Sequence, residues 1–199
     1  PQPQTTLMTS VVFDSLIHYD ADSRSFRPLL AESWKRIDAK TLEFKLKRGI
    51  KFHDGSDFDA DDVIYTVKYA TDPKVKFRFK GTRYGWIKEA QKIDSHTVRI
   101  VGKGVYAPAL TAMAISTPIF PSDHHSKLAD KRQFGKAPVA TGPFRVTSVN
   151  SARGVTMVKF DGYKHGGSVK PAAQVSVIKI TPDPDAQTQV AKMMTAQQD

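Results

Sequence analysis

The chain has 199 residues, with 30 Lys and Arg against 20 Asp and Glu, and no cysteine. The lack of cysteine excludes disulfides, thiolate catalysis, zinc fingers and iron–sulfur clusters, and no apolar run approaches the roughly 18 residues of a membrane-spanning helix. The length suits one domain or slightly more, and the net charge of +10 raises the question of an anionic partner.

Taken in chain order, Pro1 to Ser10 lacks the basic and apolar regions of a secretory signal. Leu42 to Leu46 alternates apolar and polar residues and predicts a half-buried strand. Arg48-Gly49 interrupts the alternation, which Ile50 to Phe52 resumes. His53-Asp54-Gly55 predicts a turn. Asp59 reads as a helix N-cap, with Asp61 and Asp62 favourably placed in the first turn. Val63, Ile64, Val67 and Ala70 give that helix its apolar face, and Asp72-Pro73 stops it.

Two strands are predicted next, Trp86 to Ile93 and Thr97 to Val101, turning at Asp94-Ser95. A short helix over Ala109 to Ala114 follows Pro108. Ser116 to Pro121 is extended, and Ser122 is placed to cap a helix running to about Asp130. Phe144 to Val149 and Val155 to Phe160 form a strand pair around a loop at Asn150 to Gly154. Val175 to Ile180 is a further strand, and Asp185 opens a last helix with Val190, Met193 and Met194 on one face. Strands and helices mixed without a regular βαβ rhythm predict an α+β fold, or a broken α/β sheet.

Several local patterns suggest chemistry and fail on physical grounds. Gly102 to Ala107 has the outline of a dinucleotide fingerprint, with Asp123 about 20 residues on. Pro108 follows at once, however, and Pro118 and Pro121 spoil the second parallel strand that the motif needs. Asp57 to Asp61 begins like a calcium loop, but position six is Asp62 instead of Gly and position twelve is Lys68 instead of Glu. His124 and His125 point about 100° apart on a helix and are expected as surface residues. No nucleophile, base and orienter assemble, and no metal site or cofactor is expected. Residues 74–83 hold Lys74, Lys76, Arg78, Lys80 and Arg83, interleaved with Phe77 and Phe79 and free of acid. That composition keeps a basic single-stranded nucleic-acid-binding module open as an alternative function.

One long pattern is more specific. Leu30 to Trp34, then Lys40 to Gly55, Phe58 and Asp59 to Val63, resembles the signature of family 5 extracellular solute-binding proteins, the oligopeptide, dipeptide and nickel receptors of bacterial ABC importers. Val12 to Leu16, Ala140 to Phe144 and Ile180 to Asp183 extend the resemblance across the chain. Ala140 stands where Gly is usual, Lys164 follows Tyr163 where a Tyr-Trp pair is common, and Gln197-Gln198-Asp199 replaces a commoner Gly-Glu-x-Asp ending.

The resemblance implies a partial type II periplasmic binding protein-like fold, covering the first lobe and its small extra subdomain. Residues 1–13 and 142–199 would belong to the larger lobe, and residues 14–141 to the small subdomain. The second lobe would lie outside this chain, which would be an N-terminal piece. The implied function is a periplasmic, monomeric receptor that closes on a peptide-like solute and docks on a membrane permease, without catalysis, cofactor or nucleic acid. The expected ligand-facing residues are Thr5, Thr6, Tyr84, Trp86, Ser116 and Thr117. The uncharged Ser116-Thr117 position implies weak recognition of anions from this side.

Overall fold

A computed structural model describes residues 9–77, 79–115, 117–150 and 154–181. The expected final helix from Asp185 and the segment Pro182-Asp183 lie outside the described residues.

The described chain forms three antiparallel sheets. A hairpin comes first, β1 (Ile17–Asp20) on β2 (Ser25–Pro28). Next is a four-stranded sheet in the order β3-β4-β6-β5, from β3 (Ala31–Arg36), β4 (Thr41–Leu46), β5 (Ile87–Asp94) and β6 (Thr97–Gly102). A three-stranded sheet then runs β7 (Phe144–Asn150), β8 (Gly154–Lys159) and β9 (Val177–Ile180). The helices are α1 (Ala60–Thr71), α2 (Lys80–Tyr84), α3 (Ala109–Ile115) and α4 (Ser122–Lys127), with a 3-10 turn at Lys131–Gly135. Exclusively antiparallel pairing beside these helices makes the fold α+β.

The helix α1 starts where the sequence says it should. The Asp59 carboxylate accepts the Asp61 amide, and Asp62 reaches back to the Asp59 amide at 3.0 Å, which completes a capping box. Val63, Val67 and Ala70 face the main core with Leu42, Phe44, Phe52, Phe58 and Ile100. Strand β4 departs from expectation, because it is buried on both faces. Glu43 is only 6% exposed. Strands on either side supply Lys35 at 3.0 Å and Arg99 at 2.8 Å, and these two cations hold its carboxylate below the usual range.

Residues 50–52 do not form a named strand. They join Asp57 by one isolated bridge around a tight turn in which Gly55 has φ +88°. The strands β1, β2 and β3 carry no strong alternation and were not predicted. Helix α4 ends at Lys127, short of Asp130, and Pro121 occupies its cap position instead of Ser122.

A second, smaller apolar cluster lies on the β7-β8-β9 sheet, built from Val12, Ala140, Phe144 and Met157. One backbone bond closes the smaller cluster on itself, and the next ties it to the main core. The Gly142 amide donates to the Val12 carbonyl at 2.9 Å, and the His53 amide donates to the Ala140 carbonyl at 2.8 Å. The His53 ring also meets the Gly142 carbonyl at 2.9 Å. A Cβ at position 142 would lie 2.4 Å from the Val12 oxygen, so only glycine allows this approach.

Candidate functional site

Trp86 sits in the turn between α2 and β5. Its indole packs flat on Tyr106, with centroids 5.2 Å apart and planes 15° apart, and its N–H donates to the Arg83 carbonyl at 3.2 Å. The ring is half-buried against the main core. Tyr84 lies inside, and burial pushes its hydroxyl up to about 12. Thr117 is buried as well. Its hydroxyl donates to the Ala112 carbonyl at 3.1 Å and is in hydrogen-bonding contact with Tyr84. The structure therefore brings Tyr84, Trp86 and Thr117 to one corner of the molecule. Within this set the partly open surface belongs to the Trp86 ring. Thr5, Thr6 and Ser116 lie outside the described residues.

A second polar constellation was not anticipated from sequence. Asp14 is fully buried between the two apolar clusters. Its carboxylate meets His165 Nε2 at 2.8 Å and Lys170 Nζ at 2.5 Å, and Lys170 also donates to the Phe13 carbonyl at 2.9 Å. Burial would raise the Asp14 carboxyl, but the His165 hydrogen bond and the Lys170 charge outweigh it and hold the group below its ordinary value. Lys47 donates to the His165 carbonyl at 2.8 Å and is pushed below the usual lysine range by burial. A cavity of about 410 Å³ opens beside this cluster, lined by Glu32, Lys47, Arg48, Ile50, Lys164 and His165. The sequence did carry a signal, because Asp14 is a lone charge inside the apolar run Val11 to Ile17.

His125 corrects the surface reading of the histidine pair. It is 2% exposed, stacked on Phe120 at 5.0 Å, and surrounded by Tyr65, Tyr69 and Phe134. The Tyr65 hydroxyl meets its Nδ1 at 2.5 Å. Burial first, then the charge of Lys131, pushes this imidazole down to about 4. The acidic start of α1 is also structural, since Asp62 accepts the Ser122 amide at 2.7 Å and burial raises its carboxyl. Among the described residues, no three His, Asp or Glu side chains gather as metal ligands, and no helix is long and apolar enough to cross a membrane.

Residues 25–199 match the model of the bacterial extracellular solute-binding proteins, family 5. The chain belongs to this family. Similar proteins include the heme-binding protein A of Haemophilus influenzae, 27% identical over 92% of this chain and 36% of its own length. The dipeptide-binding protein of Escherichia coli is 28% identical over 86% of this chain and 36% of its own. The chain thus spans about a third of the length of these relatives. The oligopeptide-binding protein AppA of Bacillus subtilis, solved with a nonapeptide, superimposes with a TM-score of 0.85 at 22% identity, over 99% of this chain and 39% of that one. The shared fold is that of the type II periplasmic binding proteins, here in part. The family's members are binding proteins, and its named relatives span heme and peptides.

Proposed function

We propose that this chain is the first lobe, with its small subdomain, of a periplasmic receptor that delivers a peptide or peptide-like solute to an ABC importer. The observation that carries this reading is the family match across residues 25–199, on a fold that superimposes almost whole on a peptide-bound receptor. In a protein of the relatives' length, a second lobe closes over the solute by hinge motion, and no bond is broken. The receptor works as a monomer and docks on the permease in its closed state.

Residues 1–13 and 142–199 form the larger lobe in this proposal, and residues 14–141 the small subdomain. Two apolar clusters support that division to within two residues, one running from Leu16 to Ile119 and one joining Val12, Ala140, Phe144 and Met157. Trp86 is the proposed contact, because a half-buried indole gives a solute apolar area and a fixed orientation. Tyr84 and Thr117 hold its turn from behind. Thr5, Thr6 and Ser116 complete the proposed wall.

The test is calorimetry on the receptor at its relatives' length, titrated with dipeptides and longer peptides. Trp86→Ala should weaken binding by about tenfold or more, with melting unchanged. Unchanged affinity removes Trp86 from the site. Failure of every peptide, with a different solute retained through purification and identified by mass spectrometry, refutes the peptide class.

A further inference from the structure

The basic segment after α1 borders the Trp86 turn, but the receptor mechanism above makes no use of its charge. Six cations gather around α2 and its flanks: Lys74, Lys76, Lys80, Arg83, Lys88 and Lys103. None is ion-paired to a carboxylate of the described residues. The acids of this stretch, Asp72 and Glu89, offset two of these charges and carry hydrogen bonds from uncharged donors. The Asp72 carboxylate accepts the Lys74 amide at 2.8 Å, and Glu89 accepts from Gln91 at 2.7 Å. Lys80 binds the Asp72 and Val75 carbonyls, and Lys103 binds the Gly85 carbonyl at 2.8 Å, so their partners are neutral. A net positive charge therefore remains at this end, open to an anionic partner.

Exposed apolar side chains lie among these cations. Phe77 and Phe79 are 38% and 39% exposed, and Val105, two residues beyond Lys103, is 73% exposed. The ring geometry decides what they suit. The face of Phe79 lies under the Arg83 guanidinium, 5.6 Å from the centroid. Phe77 meets Tyr84 edge to face at 5.7 Å and 80°. Arg83 covers one face of Phe79, which a stacking base would need open, and Val105 has no ring to stack on. Both rings keep more than a third of their surface exposed in a field of lysines. That is the arrangement of a protein surface that dips apolar tips into a headgroup layer while its cations meet lipid phosphates.

We propose that this end of the molecule is a docking surface for a bilayer containing anionic phospholipid. Phe77, Phe79 and Val105 enter the headgroup boundary, and Lys74, Lys76 and Arg83 meet the phosphates around them. The attraction is electrostatic and short-ranged, acting within about 10 Å of the surface at moderate salt. It would hold the molecule reversibly at the membrane, and it stands whether or not the solute is a peptide.

The test is co-sedimentation of the 199-residue chain with vesicles of phosphatidylcholine alone and of phosphatidylcholine mixed with phosphatidylglycerol. Binding should appear only on the mixed vesicles and should fall with added salt. Lys74→Gln with Lys76→Gln should weaken it by about tenfold to thirtyfold. Lys40→Gln with Lys136→Gln, the same charge change at exposed positions elsewhere, should leave it nearly unchanged. Phe77→Ser with Phe79→Ser should weaken vesicle binding while sparing any affinity for a single-stranded oligonucleotide. All six positions are exposed, and circular dichroism checks that each variant keeps its fold. No binding to mixed vesicles overturns the proposal, as does equal loss in the Lys40/Lys136 control. Equal loss of oligonucleotide and vesicle affinity in the phenylalanine variant also overturns it, in favour of base stacking.

Discussion

His125 should make folding of this chain sensitive to mild acid. Its imidazole has an ordinary value of 6.5 and is pushed down to about 4 by burial among Phe120, Phe134, Tyr65 and Tyr69. A neutral ring accepts the Tyr65 hydroxyl proton at Nδ1, and a charged ring could not. The folded value lies below the unfolded one, so between them the unfolded chain binds more protons and stability falls as the pH drops. Between about pH 7 and about pH 5, linkage removes about 2 kcal/mol. Buried acids such as Asp14 also titrate in acid, so the quantity to measure is a double difference. Urea unfolding of the native chain and of His125→Phe at the two pH values isolates the histidine. The native chain should lose about 2 kcal/mol more than the variant. Equal losses in the two proteins would mean that His125 can charge in place, and the closed aromatic box described above would be wrong.

Two further substitutions probe the smaller apolar cluster and its junction with the main core. Gly142→Ala forces a Cβ within 2.4 Å of the Val12 oxygen and should cost about 1–3 kcal/mol by thermal melting, whereas an unchanged melt would show that the two segments can part freely. Asp14→Asn leaves Lys170 and His165 facing an uncharged group and should cost about 3–5 kcal/mol in urea. The native Asp14 carboxyl is held below its ordinary value, so its contribution is present above the unfolded value and lost as pH falls through the folded one. The acid limb of a stability-against-pH curve should therefore flatten in Asp14→Asn, and an unaltered limb would refute its role.

The regular elements were legible where local rules and burial agree. Asp59 has the cap chemistry and Val63, Val67 and Ala70 the period, so α1 begins and faces as read. The pairs β5-β6 and β7-β8 were found within a residue or two, because a turn separates two apolar runs. Strand β4 was misread as half-buried for a definite reason. Lys45 is exposed as its type suggests, but Glu43 is buried, because alternation records side-chain polarity and not the cations that Lys35 and Arg99 bring from neighbouring strands. The first three strands escaped because Ser25-Phe26-Arg27-Pro28 and Ala31 to Arg36 carry few apolar residues. Pairing to a neighbour makes them strands, and pairing is a long-range fact.

The site was less legible, and the reason lies in what the recognisable blocks do. The His53 turn and the Ala140 to Phe144 run meet through backbone carbonyls and amides, with glycine at 142 because a side chain would collide there. These contacts join scaffold to scaffold, and solved structures holding a nickel–histidine complex and a nonapeptide share this fold. A sequence can therefore declare the scaffold through residues that touch only one another. Trp86 is different, since its meaning depends on which surface stays open. One edge is spent on the Arg83 carbonyl and one face on Tyr106, and only the remainder can meet a ligand. Asp14 shows the converse. It resembles a binding carboxylate by its isolation in an apolar run, yet His165 and Lys170 already saturate it. A buried charge with two internal partners fixes the two clusters against each other and leaves recognition to groups with an unspent face.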